Sequence, residues 1–177
     1  MNKLIILDGM DKTGKSYFSA SLLKKLKNSI LIKGNMRPFD NSEKEKRKIK
    51  KYYESILEIA KLPFYQDKII IVERFFPSQI CYSIKRGSDD FSDKWFERFE
   101  KRILKLNHLY IQCFAEKDLI LRRFITDKEE YLSQSDIEII WNRYEKFYDQ
   151  TKMNKIKIST LNLDWDKLVE FIRKENK

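Results

Sequence analysis

The chain has 177 residues, enough to bury one substantial core and form a single domain over 1–177. A hydrophobic content of 42% excludes a disordered protein, and no apolar run approaches the roughly 20 residues of a membrane span. The net charge of +10 implies either an anionic partner or lysine-rich, solvated helix faces.

Leu4-Ile5-Ile6-Leu7 reads as a buried strand. No signal peptide precedes it, so a soluble, cytoplasmic protein is expected. Beyond Asp8, Gly9-Met10-Asp11-Lys12-Thr13-Gly14-Lys15-Ser16 spells G-x-x-x-x-G-K-S, a phosphate-cradling P-loop. Gly9 and Gly14 let successive N–H groups approach phosphate oxygens that a Cβ would block. Lys15 can reach the β- and γ-phosphates, and the Ser16 hydroxyl can ligate Mg²⁺. Tyr17 and the helical spacing of Ser19 to Leu26 follow, presenting a positive helix end to the anion.

Ser29–Lys33 reads as a second strand. Arg37, in the loop beyond it, stands where an anionic substrate meets the carboxyl end of a parallel sheet, or else is a surface arginine. A long helix spans 42–61, with Ser42 and Glu45 as a capping box and Ile49, Tyr52, Tyr53, Ile56, Leu57 and Ala60 in one buried stripe. Its charged first half is a solvated face or a basic rim over the acceptor site. After Leu62-Pro63, Lys68–Val72 is a third strand, central by its apolarity. Glu73-Arg74 closes it. The Glu could hold Mg²⁺ through water or take a proton, and the Arg could grip a phosphate bidentately; a structural ion pair is the alternative.

Ile80, Cys81, Tyr82 and Ile84 belong to a helix that stops at Arg86-Gly87-Ser88, and another runs from Ser92 to about Lys105. His108–Phe114 is a fourth strand, with His108 an ordinary polar edge residue. A lone histidine builds neither a zinc site nor a His-based triad, and Cys81 and Cys113 read as buried free thiols rather than a disulfide. A short helix over 117–124 carries Arg122-Arg123, and a helix from Asp136 to about Tyr148 returns. The charged stretch between them, about 122–136, has the composition of a closing lid or of a plain helical connection. Lys155–Ser159 is the last strand and Trp165–Arg173 the last helix.

In this order the P-loop, Glu73-Arg74-Phe75-Phe76-Pro77-Ser78 with Tyr82 beyond, and Leu121-Arg122-Arg123 with Trp141-Asn142-Arg143-Tyr144 resemble the nucleoside monophosphate kinases, most closely the thymidylate kinase group. The resemblance implies a P-loop α/β sandwich whose five-stranded parallel sheet has the order 2-3-1-4-5, with helices on both faces and a helical lid. It implies ATP and Mg²⁺ as cofactors, with Lys15, Lys12 and Arg123 on the transferred phosphoryl and Ser16 and Glu73 at the metal. Arg74, Arg37 and Ser78 would serve the acceptor phosphate, Asp11 its sugar, and Phe64 or Tyr82 its base. Tyr17 replaces the usual threonine, and Glu73 the usual aspartate, as in deoxynucleoside kinases. The position of the thymine-contacting arginine falls near Tyr52. The expected reaction is dTMP to dTDP. A deoxynucleoside kinase, a kinase of nucleic-acid 5′ ends and a non-catalytic nucleotide or single-strand binding module remain as alternatives. The partner is a small nucleotide, with nucleic acid less favoured, no membrane, and a homodimer left open.

Overall fold

The computed structural model describes residues 3–34, 42–65, 67–87, 93–127 and 132–174. Five strands form one parallel sheet: β1 (Lys3–Asp8), β2 (Ser29–Lys33), β3 (Ile69–Glu73), β4 (His108–Phe114) and β5 (Lys155–Ser159). Their order is β2-β3-β1-β4-β5, as the resemblance implied. Parallel pairing requires crossovers, and helices supply them: α1 (Lys15–Lys25), α2 (Glu43–Lys61), α3 (Phe76–Cys81), α4 (Lys94–Ile103), α5 (Lys117–Thr126), α6 (Gln134–Gln150) and α7 (Trp165–Lys174).

Alternation along the strands divides the core in two. Ile5, Leu7, Ile71, Leu109 and Ile111 face Phe18 and Leu22 of α1 and Leu168, Val169 and Ile172 of α7. Leu4, Ile6, Ile70, Val72 and Tyr110 face the opposite layer, built from α2 to α6. The central strands are apolar on both faces because helices cover both. Among the described residues, no helix is long and apolar enough to cross a membrane.

Several expectations are corrected. The helix after β3 starts at Phe76, with Pro77 in its first turn, and is buried along its whole length; Ser83–Arg86 continue it as a 3₁₀ turn closed by Gly87 at φ 67°. α6 starts at Gln134, two residues early, because Ser133 caps it and Asp136 completes a capping box rather than opening the helix. His108 is no edge residue: β4 lies between β1 and β5, and the ring is buried, with Nε2 accepting from the Asn154 N–H and Nδ1 against the Leu106 carbonyl. The helix start expected at Ser92, Arg37, and residues 128–131 of the lid stretch lie outside the described residues. Cys81 and Cys113 are buried free thiols, and burial pushes the Cys113 thiol up to about 12.

Candidate active site

The P-loop leaves β1 at the carboxyl edge of the sheet and turns sharply into α1. Gly9 has φ 144°, and a Cβ there would lie 2.2 Å from the Cys113 carbonyl oxygen of β4. At Gly14, φ is 86° and a Cβ would lie 2.6 Å from Thr160 Oγ1, the hydroxyl that donates to the Thr13 carbonyl at 2.7 Å. Both glycines are thus demanded by close approaches as well as by backbone conformation. The Thr13 hydroxyl closes the loop on the Met10 carbonyl at 2.7 Å. α1 opens at Lys15 with no acidic residue in its first turn, so its leading N–H groups present positive charge to the cavity.

That cavity holds about 380 Å³ and is lined by Asp11, Lys12, Gly14, Lys15, Ser16, Tyr17 and Arg74. Lys15 is almost wholly buried, and its Nζ donates to the Met10 carbonyl at 2.6 Å. Burial lowers its pKa from the usual lysine value, against the pull of Asp8 and Glu73. Glu73, at the tip of β3, accepts from Ser16 Oγ at 2.7 Å and from Ser19 Oγ at 2.5 Å. Arg74, at φ 62°, forms an ion pair with Asp11. Tyr82 locks Asp11 from the other side: its hydroxyl donates to Asp11 Oδ2 at 2.8 Å and accepts from the Asp11 N–H at 3.0 Å. From α5, Arg123 Nη1 donates to the Lys12 carbonyl, while Lys12 Nζ meets Asp127 at 2.7 Å and lies 5.7 Å from the Phe124 ring centroid.

The P-loop, Glu73, Arg74 and Arg123 therefore converge. Three other residues are placed differently from expectation. Phe64 is exposed on a turn just before β3, at the amino end of the sheet, across from the P-loop, and does not join the site. Ser78 is fully buried, with its N–H and hydroxyl both given to Asp8, so it faces the interior. The Tyr82 ring is buried edge-on against Tyr144, and its hydroxyl holds Asp11 instead of offering a stacking face.

Sequence reasoning missed Asp8. Fully buried, it accepts from the N–H groups of Gly9, Phe75 and Ser78 and from the Ser78 and Tyr144 hydroxyls. One carboxylate thus ties the start of the P-loop, the turn around Arg74 and helix α6 together. The available signal was a charge ending an apolar strand: buried charges require a full set of partners. Arg143, one residue before Tyr144, caps α3 by donating to the Ile80 and Cys81 carbonyls and the Ser83 hydroxyl.

Among the described residues, no group of three or more His, Cys, Asp or Glu side chains could hold a metal. Ser16 and Glu73 instead offer a hydroxyl and a carboxylate within hydrogen-bond reach of each other. That sparse oxygen set fits Mg²⁺, which keeps waters and substrate phosphate oxygens as its other ligands.

No protein-family model matches the sequence, and no curated protein does. Solved structures do. The YorR protein of Bacillus subtilis, in complex with phosphorylated GDP, superposes with a TM-score of 0.71 at 24% identity, over 97% of this chain and 94% of its own. The fold is that of P-loop kinases. Thymidylate kinase from Ehrlichia chaffeensis matches with a TM-score of 0.62 at 17% identity over 99% and 98% of the two chains. Deoxyadenosine kinase from M. mycoides, with dCMP and dCDP bound, gives 0.62 at 17% identity over 98% of each. At these identities the P-loop kinase likeness is one of fold.

Proposed function

We propose that this chain is an ATP- and Mg²⁺-dependent kinase that moves the γ-phosphoryl of ATP onto the 5′-phosphate of a deoxynucleotide, with dTMP the expected acceptor. The observation that carries the reading is the shared cavity: Arg74 and Asp11, suited to an acceptor phosphate and sugar, line the same space as Lys15 and Ser16. Neighbours of this fold include a thymidylate kinase and a deoxyadenosine kinase with its product dCMP bound, which supports an acceptor of nucleotide or nucleoside type.

In this reaction an acceptor phosphate oxygen bonds to the γ-phosphorus as the bond to the bridging oxygen breaks, and the electron pair leaves on ADP. That attacking oxygen is already ionised, so no base is required, and catalysis rests on positioning and charge neutralisation. The P-loop amides and Lys15 hold the donor phosphates. Lys12 and Arg123 stabilise charge spreading over the transferred group. Arg74 takes the acceptor phosphate, and Asp11, held by Tyr82, receives the sugar. Mg²⁺, when bound at Ser16 and Glu73, neutralises the triphosphate oxygens. Arg37 belongs to the same proposal as an acceptor-phosphate ligand.

A second reading, a deoxynucleoside kinase, draws on the Glu73 carboxylate beside Arg74, since a 5′-hydroxyl must lose its proton to a base. Thin-layer analysis of transfer from labelled ATP to dTMP, other deoxynucleoside monophosphates, thymidine and a 5′-hydroxyl oligonucleotide separates these. Transfer to dTMP is expected, and its loss in Lys15→Ala with an unchanged circular dichroism spectrum. Transfer to thymidine alone supports the second reading. ADP release from no acceptor, or a Lys15→Ala protein turning over at the wild-type rate, overturns both.

A further inference from the structure

The charge excess of this chain is not spread evenly, and its densest run does not lie in the cavity. Glu43–Tyr52, the first half of α2, holds six basic residues against two acidic ones. Lys44, Arg47, Lys48 and Lys51 are exposed and fall at i, i+3, i+4 and i+7, a single stripe opposite the buried Tyr53, Ile56 and Leu57. Among the described residues, the stripe's one ion pair is Lys48 with Glu45. The acidic residues of the second half behave differently: Glu54 and Glu58 both engage Arg102 from α4, and Glu58 also engages Lys61.

The segregation has a direction. The Tyr52 hydroxyl reaches the Lys33 carbonyl at 3.4 Å, so Tyr52 stands level with the carboxyl end of β2. α2 runs antiparallel to the strands, and the eight helical steps from Tyr52 back to Lys44 therefore project about 12 Å beyond the edge on which the cavity opens. Lys50 fixes that projecting half by pairing with Asp93 at 2.7 Å and lying 5.4 Å from the Trp95 ring centroid. Exposed Lys33 and the half-exposed Tyr52 ring extend the stripe to the sheet edge. The outcome is a rigid row of cations ending in an aromatic ring, beside but separate from the residues that line the cavity.

We infer that this α2 stripe binds the phosphate backbone of single-stranded nucleic acid. Charge complementarity carries the assignment: a row of regularly spaced cations with an adjacent aromatic face matches a repeating polyanion with bases to stack. An anionic membrane is the poorer match, because no large apolar side chain accompanies Lys44, Arg47, Lys48 and Lys51 to enter a bilayer.

The test is fluorescence anisotropy of a labelled single-stranded oligonucleotide whose 5′ end is blocked by the dye, so that the acceptor site is not read. Wild-type protein should bind, with affinity falling steeply between about 50 and 200 mM salt. Replacing Lys44, Arg47 and Lys51 together by glutamine should weaken binding about tenfold or more and reduce the log–log salt slope by about 2, given about 0.7 per single-strand phosphate contact. The circular dichroism spectrum should be unchanged in this triple variant. Lys24, Lys25 and Lys27 lie at the other edge of the sheet, and glutamine at all three removes equal charge and should leave binding intact. The inference is overturned if wild type does not bind, if both triple variants weaken binding equally, if neither does, or if anionic vesicles are held in place of the oligonucleotide. None of these outcomes depends on kinase activity, so the two assignments fail separately.

Discussion

Lys12 Nζ sits 2.7 Å from Asp127 Oδ2, joining the P-loop to the residue that caps the end of α5. The proposed lid and the loop proposed to grip the donor are thus linked by this ion pair, with Arg123 reinforcing it through the Lys12 carbonyl. Under the kinase proposal the Lys12 ammonium serves two partners in turn, first this carboxylate and then the transferred phosphoryl group.

Asp127→Asn should therefore release Lys12 for the nucleotide. Asp127 is half exposed, so solvent screens the pair and it is worth at most about 1 kcal/mol. ATP affinity by isothermal titration should rise by up to about fivefold, with little change in Tm. Weaker ATP binding in the variant would mean that Asp127 orients Lys12 for the phosphate rather than competing with it.

Glu73→Gln separates the two acceptor chemistries. With a monophosphate acceptor there is no proton to remove, so the variant should need about tenfold more Mg²⁺ and keep the shape of its pH–rate profile. With a nucleoside acceptor, losing the base should lower kcat by about 10²–10⁴ and erase the acid limb. Steady-state rates against Mg²⁺ and pH decide, and the first outcome is expected.

The P-loop was legible in the sequence because strand, turn and helix start are contiguous and each signal is local. The sheet order was legible only by resemblance, since nothing in Lys3–Asp8 itself says that β3 and β4 will flank it. The misplacements share one cause. Phe64, Ser78 and Tyr82 are each near a motif in sequence, but strand polarity puts Phe64 at the wrong edge and long-range partners turn the other two inward. Asp8 and Thr160 went unseen for the same reason, with partners 70 and 147 residues away, and Tyr144 was named only within the resemblance, its bond to Asp8 spanning 136 residues. The start of α6 was readable, by contrast, as Ser133 three residues before Asp136.

Two glycines with positive φ should respond very differently to alanine. At Gly9 a Cβ meets the backbone of β4, so Gly9→Ala should cost about 3 kcal/mol or more and abolish nucleotide binding. At Gly87 nothing lies within 4 Å, and only the left-handed backbone is penalised, so Gly87→Ala should cost about 1–2 kcal/mol and leave binding intact. Urea melts with and without ATP test the pair. A mild Gly9→Ala would mean that the P-loop can move away from Cys113.

Asp136 gives the structure a predictable response to acid. Lys85 Nζ donates to its carboxylate at 2.7 Å, and the Ser133 hydroxyl and N–H donate at 2.7 and 2.9 Å. These donors hold its pKa down to about 2, against an ordinary value of 3.8. A depressed folded-state pKa means stability that is present above the unfolded value and is lost as pH falls from about 4 through about 2. Asp136→Ala removes half of the α6 capping box and a partly exposed ion pair, worth about 1 kcal/mol together. Its Tm at pH 7 should then lie about 2–4 °C below wild type for a chain of this size. That gap should narrow as pH falls below 4, because protonation takes the same interactions from the wild type. A gap that holds constant down to pH 2 would place the contribution of Asp136 in helix propensity rather than in its charge.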